Sequence, residues 1–323
     1  MSLSLEFTEI EGNDIPENSM VGSFESYDGL SIRYGVFKPA KDGICHGTVC
    51  LFGGRSEPIE KYFETIKKLQ LRGFCVTIMD WRGQGLSERL TKSRNKGHVK
   101  TFENYVKDVE VLMNKVALAD CPAPYFALAH STGANILTQY VALPSAVNMF
   151  ERMVLISPFY KFDIGDKKEL LIRIFSKFLT WFGMGELKAT FLEGGPKELK
   201  VFDPDNLISS DRGRMKREQN IIKANLNLAL GAPTFGWLNA AFDSIAKIKK
   251  RGFVAKVKTP ILAIMGTEDY LVSQQAMQNI IGQISGAGLV EIDGGRHELL
   301  MENDKIVAQT WTAIDAFLPG TNH

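Results

Sequence analysis

Residues 125–137 read YFALAHSTGANIL, and the core of that run, AHSTG, differs from the nucleophile elbow G-x-S-x-G at one position. Ala129 stands where the pattern has its first glycine, while Gly133 fills the second. An elbow serine needs a strand before it, a helix after it and small residues on either side, because the nucleophile sits on a strained turn. PYFALA (Pro124 to Ala129) has the composition of a buried strand and GANILTQYV that of a helix, so both flanks are present. Alanine adds one methyl to the crowded turn, which weakens the motif without excluding it. The ordinary alternative is that Ser131 merely caps the following helix.

The same alternation extends outward. SIRYGVF (Ser31 to Phe37), GTVCLF (Gly47 to Phe52), FCVTIMD (Phe74 to Asp80) and RMVLIS (Arg152 to Ser157) read as strands. Most are continuous apolar runs of the kind buried on both faces. Between them, IEKYFETIKKLQLRG places Ile59, Phe63, Ile66 and Leu69 on one helical face, and FENYVKDVEVLMNKV does so with Phe102, Tyr105, Val109 and Leu112. Strand–helix–strand alternation predicts an α/β fold with a mostly parallel sheet between helices. After Pro158 the pattern turns helical until TPILAIMG (Thr259 to Gly266) and LVEIDGG (Leu289 to Gly295) restore the strands. The expected organisation is a core of residues 1–157 and 251–323 interrupted by a helical insertion over 158–250. In that insertion ELLIRIFSKFLTWFG carries Leu170, Leu171, Ile174, Phe175, Phe178 and Phe182 on one broad face, widened by Ile172 and Trp181. So apolar a face packs on the core, lines a pocket or meets a membrane.

Composition narrows the function. The 323 residues are 45% hydrophobic and 23% charged, with a formal net charge of +1, which gives no reason to expect nucleic-acid binding. Four cysteines are too few for a disulfide scaffold, and Cys45, Cys50 and His46 lack a second ligand pair with zinc-like spacing. The acidic start MSLSLEFTEIEGNDIPENS has no signal-peptide character, and no run of about 18 apolar residues occurs. A cytoplasmic protein is expected, with peripheral contact at the inner face of the membrane left open and the oligomeric state undetermined.

If Ser131 is a nucleophile, an acid and a histidine must follow it in that order. Of the five histidines, only His297 lies on a loop beyond a late strand, in DGGRHELL. After PILAIMG, TEDYLVS offers Glu268 and Asp269, of which the G-x-x-D-x-x-V spacing favours Asp269. That acid would accept the imidazole N–H and fix its tautomer. An oxyanion hole needs two main-chain N–H groups: one from Thr132, after the serine, and one from the loop GGRSE, where Arg55 is preferred and Gly54 is the alternative.

With these pieces in order the chain resembles the α/β-hydrolases, and more narrowly the bacterial lysophospholipase L2 family and the related monoacylglycerol lipases. GGRSEPIEKY (Gly53 to Tyr62), DWRGQGLSERL with GHVKTFENYVKDV, LAHSTG and GGRHELLMEND are similar to that family's signature segments, as are SRNKGHV and GAPTFGW (Gly231 to Trp237). Alanine is the usual residue there at the position of Ala129. Gly53, Trp81 and Thr132 depart from the pattern, where proline, histidine and methionine are usual. The resemblance implies hydrolysis of a lipid-like carboxylic ester, a lysophospholipid or monoacylglycerol, through an acyl-enzyme formed by Ser131, His297 and Asp269. It implies no metal and no organic cofactor, and a lid made by the insertion. Phe175, Phe178, Trp181, Phe182 and Trp237 are candidates for the acyl pocket, which favours a long or bulky acyl chain. An esterase, lactonase or thioesterase for smaller substrates, and a silent binding protein, are the alternatives.

Overall fold

A computed structural model describes residues 4–39, 45–190 and 203–319. Residues 191–202 of the expected insertion and the terminal His323 lie outside the described residues. The strands are β1 (Ser19–Glu25), β2 (Ser31–Phe37), β3 (Thr48–Phe52), β4 (Cys75–Met79), β5 (Tyr125–His130), β6 (Arg152–Ile156), β7 (Ile261–Gly266) and β8 (Ala287–Ile292). They form one eight-stranded sheet in the order β1-β2-β4-β3-β5-β6-β7-β8. β1 and β2 pair antiparallel, β2 meets β4 antiparallel, and every pair from β4 to β8 is parallel. β1 has no counterpart in the sequence reading, because Phe24 is its one buried side chain and the apolar signal is missing.

The helices are α1 (Phe63–Leu71), α2 (Phe102–Leu112), α3 (Leu118–Asp120), α4 (Thr132–Tyr140), α5 (Asp166–Trp181), α6 (Arg212–Ala224), α7 (Phe235–Lys249), α8 (Gln274–Ile281) and α9 (Asp304–Phe317). Alternate side chains of each central strand enter opposite cores. Val49, Leu51, Phe126, Leu128 and Val154 face the layer of α1 and α9. Cys50, Phe52, Ala127, Ala129, Met153 and Leu155 face that of α2, α4, α7 and α8. Ala129 is therefore on the α4 side, in register with Phe52 and Leu155.

The DWRGQGLS block (Asp80 to Ser87) works as scaffolding. Asp80 receives the Arg33 guanidinium at 3.0 Å and the N–H groups of Ile59 and Leu86. Arg82 lies 2.6 Å from Asp108, and Ser87 takes the Arg33 N–H while donating to the Asp80 carbonyl. Arg33 also reaches Glu60 at 2.7 Å, and all three side chains of that Arg33–Glu60–Asp80 group are fully buried.

Between β6 and β7 the helices differ in how they are held. α6 is fastened to the core: Arg214 and Arg217 bind Glu64 of α1, and the Ser210 hydroxyl meets Glu302. α7 is continuous with the core, Ser244 exchanging hydrogen bonds with Asn135 and Gln139 of α4. α5 rests on α7 through a narrow stripe of Ile172, Ser176 and Leu179. Its broad apolar face points the other way: Leu171 is 68% and Trp181 80% exposed, and Leu170, Ile174, Phe175, Phe178 and Phe182 are half-exposed. Of that face, Phe175 reaches α7 by packing edge-to-face on Phe235, while most of the rest is left outward.

A buried ion pair that loses one partner leaves the other charge uncompensated, at about 3–5 kcal/mol. Arg33→Met is expected to lower stability by that amount in urea titrations. A loss of only about 1 kcal/mol, the range of an exposed pair, would contradict this role.

Candidate active site

The turn after β5 decides what Ser131 can do. Ser131 has φ 50° and ψ −113°, a left-handed backbone that a serine adopts only under constraint. Its N–H donates to the Ile156 carbonyl and its own carbonyl accepts from Asn135 and Phe159, so the strained peptide is held on both sides. The side chain makes no capping bond to α4, which removes the helix-cap reading. The two small positions are unequal. At Gly133 a Cβ would collide with the carbonyl oxygens of Phe52 and Gly53, whereas Ala129 lies in the sheet, where one methyl fits between Phe52 and Leu155.

The loops after β7 and β8 meet the elbow. Gly266 ends β7 with no room for a Cβ against the Gly295 carbonyl, so the two loops lie in contact, and the Glu268 N–H donates to that carbonyl. His297 Nε2 is thereby 2.9 Å from Ser131 Oγ, and His297 Nδ1 2.8 Å from Asp269 Oδ2. Asp269 is fully buried and its Oδ1 accepts the N–H groups of Leu271 and Val272. Burial works against its charge, yet the His297 ring and the two N–H donors hold the carboxyl below its ordinary value. Glu268 is exposed and takes no part. Ser131 and His297 are themselves buried, so the chain Asp269–His297–Ser131 is largely removed from water.

The loop after β3 supplies the other side. The Trp81 indole N–H donates to the Gly53 carbonyl at 2.8 Å, and the Ser56 N–H to Gln84 Oε1 at 2.7 Å. Gly54 N–H is bound by the Glu57 carboxylate, which argues against Gly54 as the alternative oxyanion donor. The Arg55 side chain reaches into the insertion, donating to the Gly231 carbonyl at 2.5 Å and lying 5.5 Å over the Trp237 ring. Thr132 opens α4, where main-chain N–H groups point outward from a helix start.

Trp237 is buried and stacked 6.4 Å from Phe159, whose N–H binds the Ser131 carbonyl, so it stands close to the elbow. Phe175, Phe178, Trp181 and Phe182 are instead half or more exposed on α5, clustered with one another and with Phe235. Two charged residues went unassigned in the sequence reading: Glu57, and His130 beside the serine. The signal for Glu57 was its E-x-x-x-K spacing with Lys61 within GGRSEPIEKY, which puts an acid and a base one helical turn apart; His130 had none.

With a Ser–His–Asp chain in hydrogen-bonding order, attack by Oγ with proton transfer to Nε2 is the chemistry the arrangement can perform. The sequence pattern of the family described as Serine aminopeptidase, S33 (Hydrolase_4) matches residues 44–304. A probable lysophospholipase L2 of Haemophilus influenzae is 29% identical over 272 residues, 83% of this chain and 82% of that one. A monoacylglycerol lipase of Mycolicibacterium smegmatis is 22% identical over 288 residues, 88% of this chain and 91% of that one. Among solved structures, a soluble variant of the monoglyceride lipase of Saccharomyces cerevisiae superimposes with a TM-score of 0.74 at 18% identity, over 94% of this chain and 97% of the other.

Removing one member of such a chain disables the others, so His297→Ala is expected to cut turnover by more than about 10³-fold. Steady-state hydrolysis of a p-nitrophenyl ester checks it, and near-normal turnover would take His297 out of the site.

Proposed function

The chain belongs to the Serine aminopeptidase S33 (Hydrolase_4) family and has the α/β-hydrolase fold, and on that premise we propose that it is a carboxylic ester hydrolase acting on lysophospholipids or monoacylglycerols. The observation that carries the chemistry is the 2.9 Å and 2.8 Å sequence from Ser131 Oγ through His297 to Asp269. His297 takes the serine proton as Oγ attacks the ester carbonyl. The oxyanion is held by the N–H groups of Arg55 and Thr132. His297 then gives the proton to the departing alcohol, and water activated by the same ring releases the fatty acid from Ser131. Asp269 stays ionised throughout and stabilises the imidazolium.

Lipid-like substrates are supported by the names of the relatives and by α5. Its exposed face joins Leu171, Ile174, Phe175, Phe178, Trp181 and Phe182 to the flanking cations Lys167, Lys168, Arg173 and Lys177, the composition of a helix that lies in a lipid–water interface. Among the described residues no helix is long and apolar enough to cross a membrane. Because α6 and α7 are fastened to the core, α5 is the lid element among the described helices. The acyl chain enters beneath it toward Trp237, with the α5 aromatics at the lipid-facing rim.

Two measurements test the reading. A fluorophosphonate probe is expected to label Ser131, and hydrolysis is expected to rise with acyl length across p-nitrophenyl esters, monoacylglycerols and lysophospholipids; a preference for acetate, or for aminoacyl amides, would overturn the substrate class. The triple variant Leu171→Ser, Trp181→Ser, Phe182→Ser is expected to lose co-sedimentation with anionic vesicles while keeping its turnover of a soluble butyrate ester. Unchanged vesicle binding would refute the interfacial role of α5.

A further inference from the structure

Behind the catalytic chain lies a cluster of buried charge that the mechanism above does not use. Glu57, Lys61, His130, Glu218 and Glu298 are all buried, a costly arrangement unless each charge is paired. The Glu57 carboxylate accepts the Gly54 N–H, the Tyr62 hydroxyl at 2.5 Å and the Lys61 ammonium at 3.0 Å, and lies 3.1 Å from His130 Nδ1. Lys61 is shared with Glu298 at 2.6 Å and with Glu218 of α6 at 3.6 Å. On the far side of the ring, His130 Nε2 is 3.2 Å from the main-chain carbonyl of His297.

Both neighbours of the His130 ring are acceptors. A carbonyl oxygen has no proton to give, and a carboxylate already receiving an N–H, a hydroxyl and an ammonium is ionised. A neutral imidazole carries one N–H and could satisfy one of these sites, whereas the imidazolium satisfies both. The surrounding charges agree with this. Burial alone would drive the His130 proton off, but Glu57 and Glu298 outweigh it and raise the pKa above its ordinary value. Burial likewise opposes the Glu57 charge, and His130 and Lys61 reverse that, holding its carboxyl well below the usual range.

We propose that Glu57 and a doubly protonated His130 form a buried ionic brace that positions the oxyanion loop and the His297 main chain for the hydrolysis proposed above. Neither group touches the reacting atoms; both are positioning residues. Gly54 has no side chain to limit its rotation, and its N–H bond to Glu57 fixes the Gly53–Gly54 peptide, the unit immediately before the one that carries the Arg55 N–H. His130 immediately precedes Ser131 and its other nitrogen holds the residue that must take the serine proton. One carboxylate thus sets the relative position of three loops far apart in the chain.

This inference rests on the hydrolase reading, and its test separates the two. The brace requires both ring nitrogens of His130 to be protonated at neutral pH in the unmodified protein, which ¹⁵N-histidine NMR reads without any catalytic assay. Glu57→Gln keeps the shape and removes the charge. It is expected to return His130 to a neutral tautomer and to lower kcat about 10²-fold, the scale of a small misplacement in a site, with KM little changed. Glu57→Asp is expected to restore the charged ring and part of the rate. Because the folded ring keeps its proton above the ordinary value, the brace contributes stability that is full below the ordinary histidine pKa and is lost as pH rises through the raised one; Glu57→Gln removes that alkaline loss. A neutral His130 in wild-type protein whose Ser131 accepts the fluorophosphonate would overturn the brace and leave the hydrolase intact. Wild-type protein that resists the probe would sink the hydrolase reading, whatever the NMR reports. The wild-type spectrum decides the matter even where a variant fails to fold.

Discussion

Where α4 begins, Gly133 lies directly against the carbonyl oxygens that end β3, and no side chain of any size fits between them. That contact sets the distance between the elbow and the loop after β3, and through it the relation of Ser131 to Arg55. It also explains the left-handed backbone of Ser131: a helix pressed so closely onto the sheet leaves the chain one residue in which to turn. The hydrogen bond to the Ile156 carbonyl and those from Asn135 and Phe159 then hold the strained peptide in place, so the cost is carried by the sheet and helix rather than by the serine.

The alternation of apolar runs was enough to read the parallel sheet, because strands buried on both faces write themselves as continuous hydrophobic sequence. β1 was invisible for the complementary reason, with Phe24 alone among its side chains buried. Ser131, Asp269 and His297 were legible because their order and their placement after β5, β7 and β8 follow from the chemistry. The pairing of Glu57 with His130 was not, since the two are 73 residues apart and the local spacing of Glu57 and Lys61 says nothing of His130. The fate of the α5 face stayed open for a different reason: periodicity identifies which side of a helix is apolar but not which side meets protein. The contact with α7 uses Ile172, Ser176 and Leu179 with Phe175 on Phe235, and most of the apolar side is left outward.

Arg55 joins two parts of the molecule. Its main chain belongs to the loop after β3, and its side chain reaches the segment GAPTFGW, where Gly231 and Trp237 receive it. The same segment is tied to the loop after β4, His98 meeting Thr234 at 2.8 Å and Gly97 bonding to Ala232 and Thr234. The family-like motifs that carry no catalytic group thus meet one another in space, and hold α7 against the site while α5 stays free to face outward.

The three side chains of the catalytic chain come from loops separated by up to 166 residues, and His297 is contributed after the final strand of the sheet. A chain emerging from synthesis can fold its first strands early, but no nucleophile is activated until β8 has docked beside β7. Completion of the sheet and the birth of activity are therefore one event.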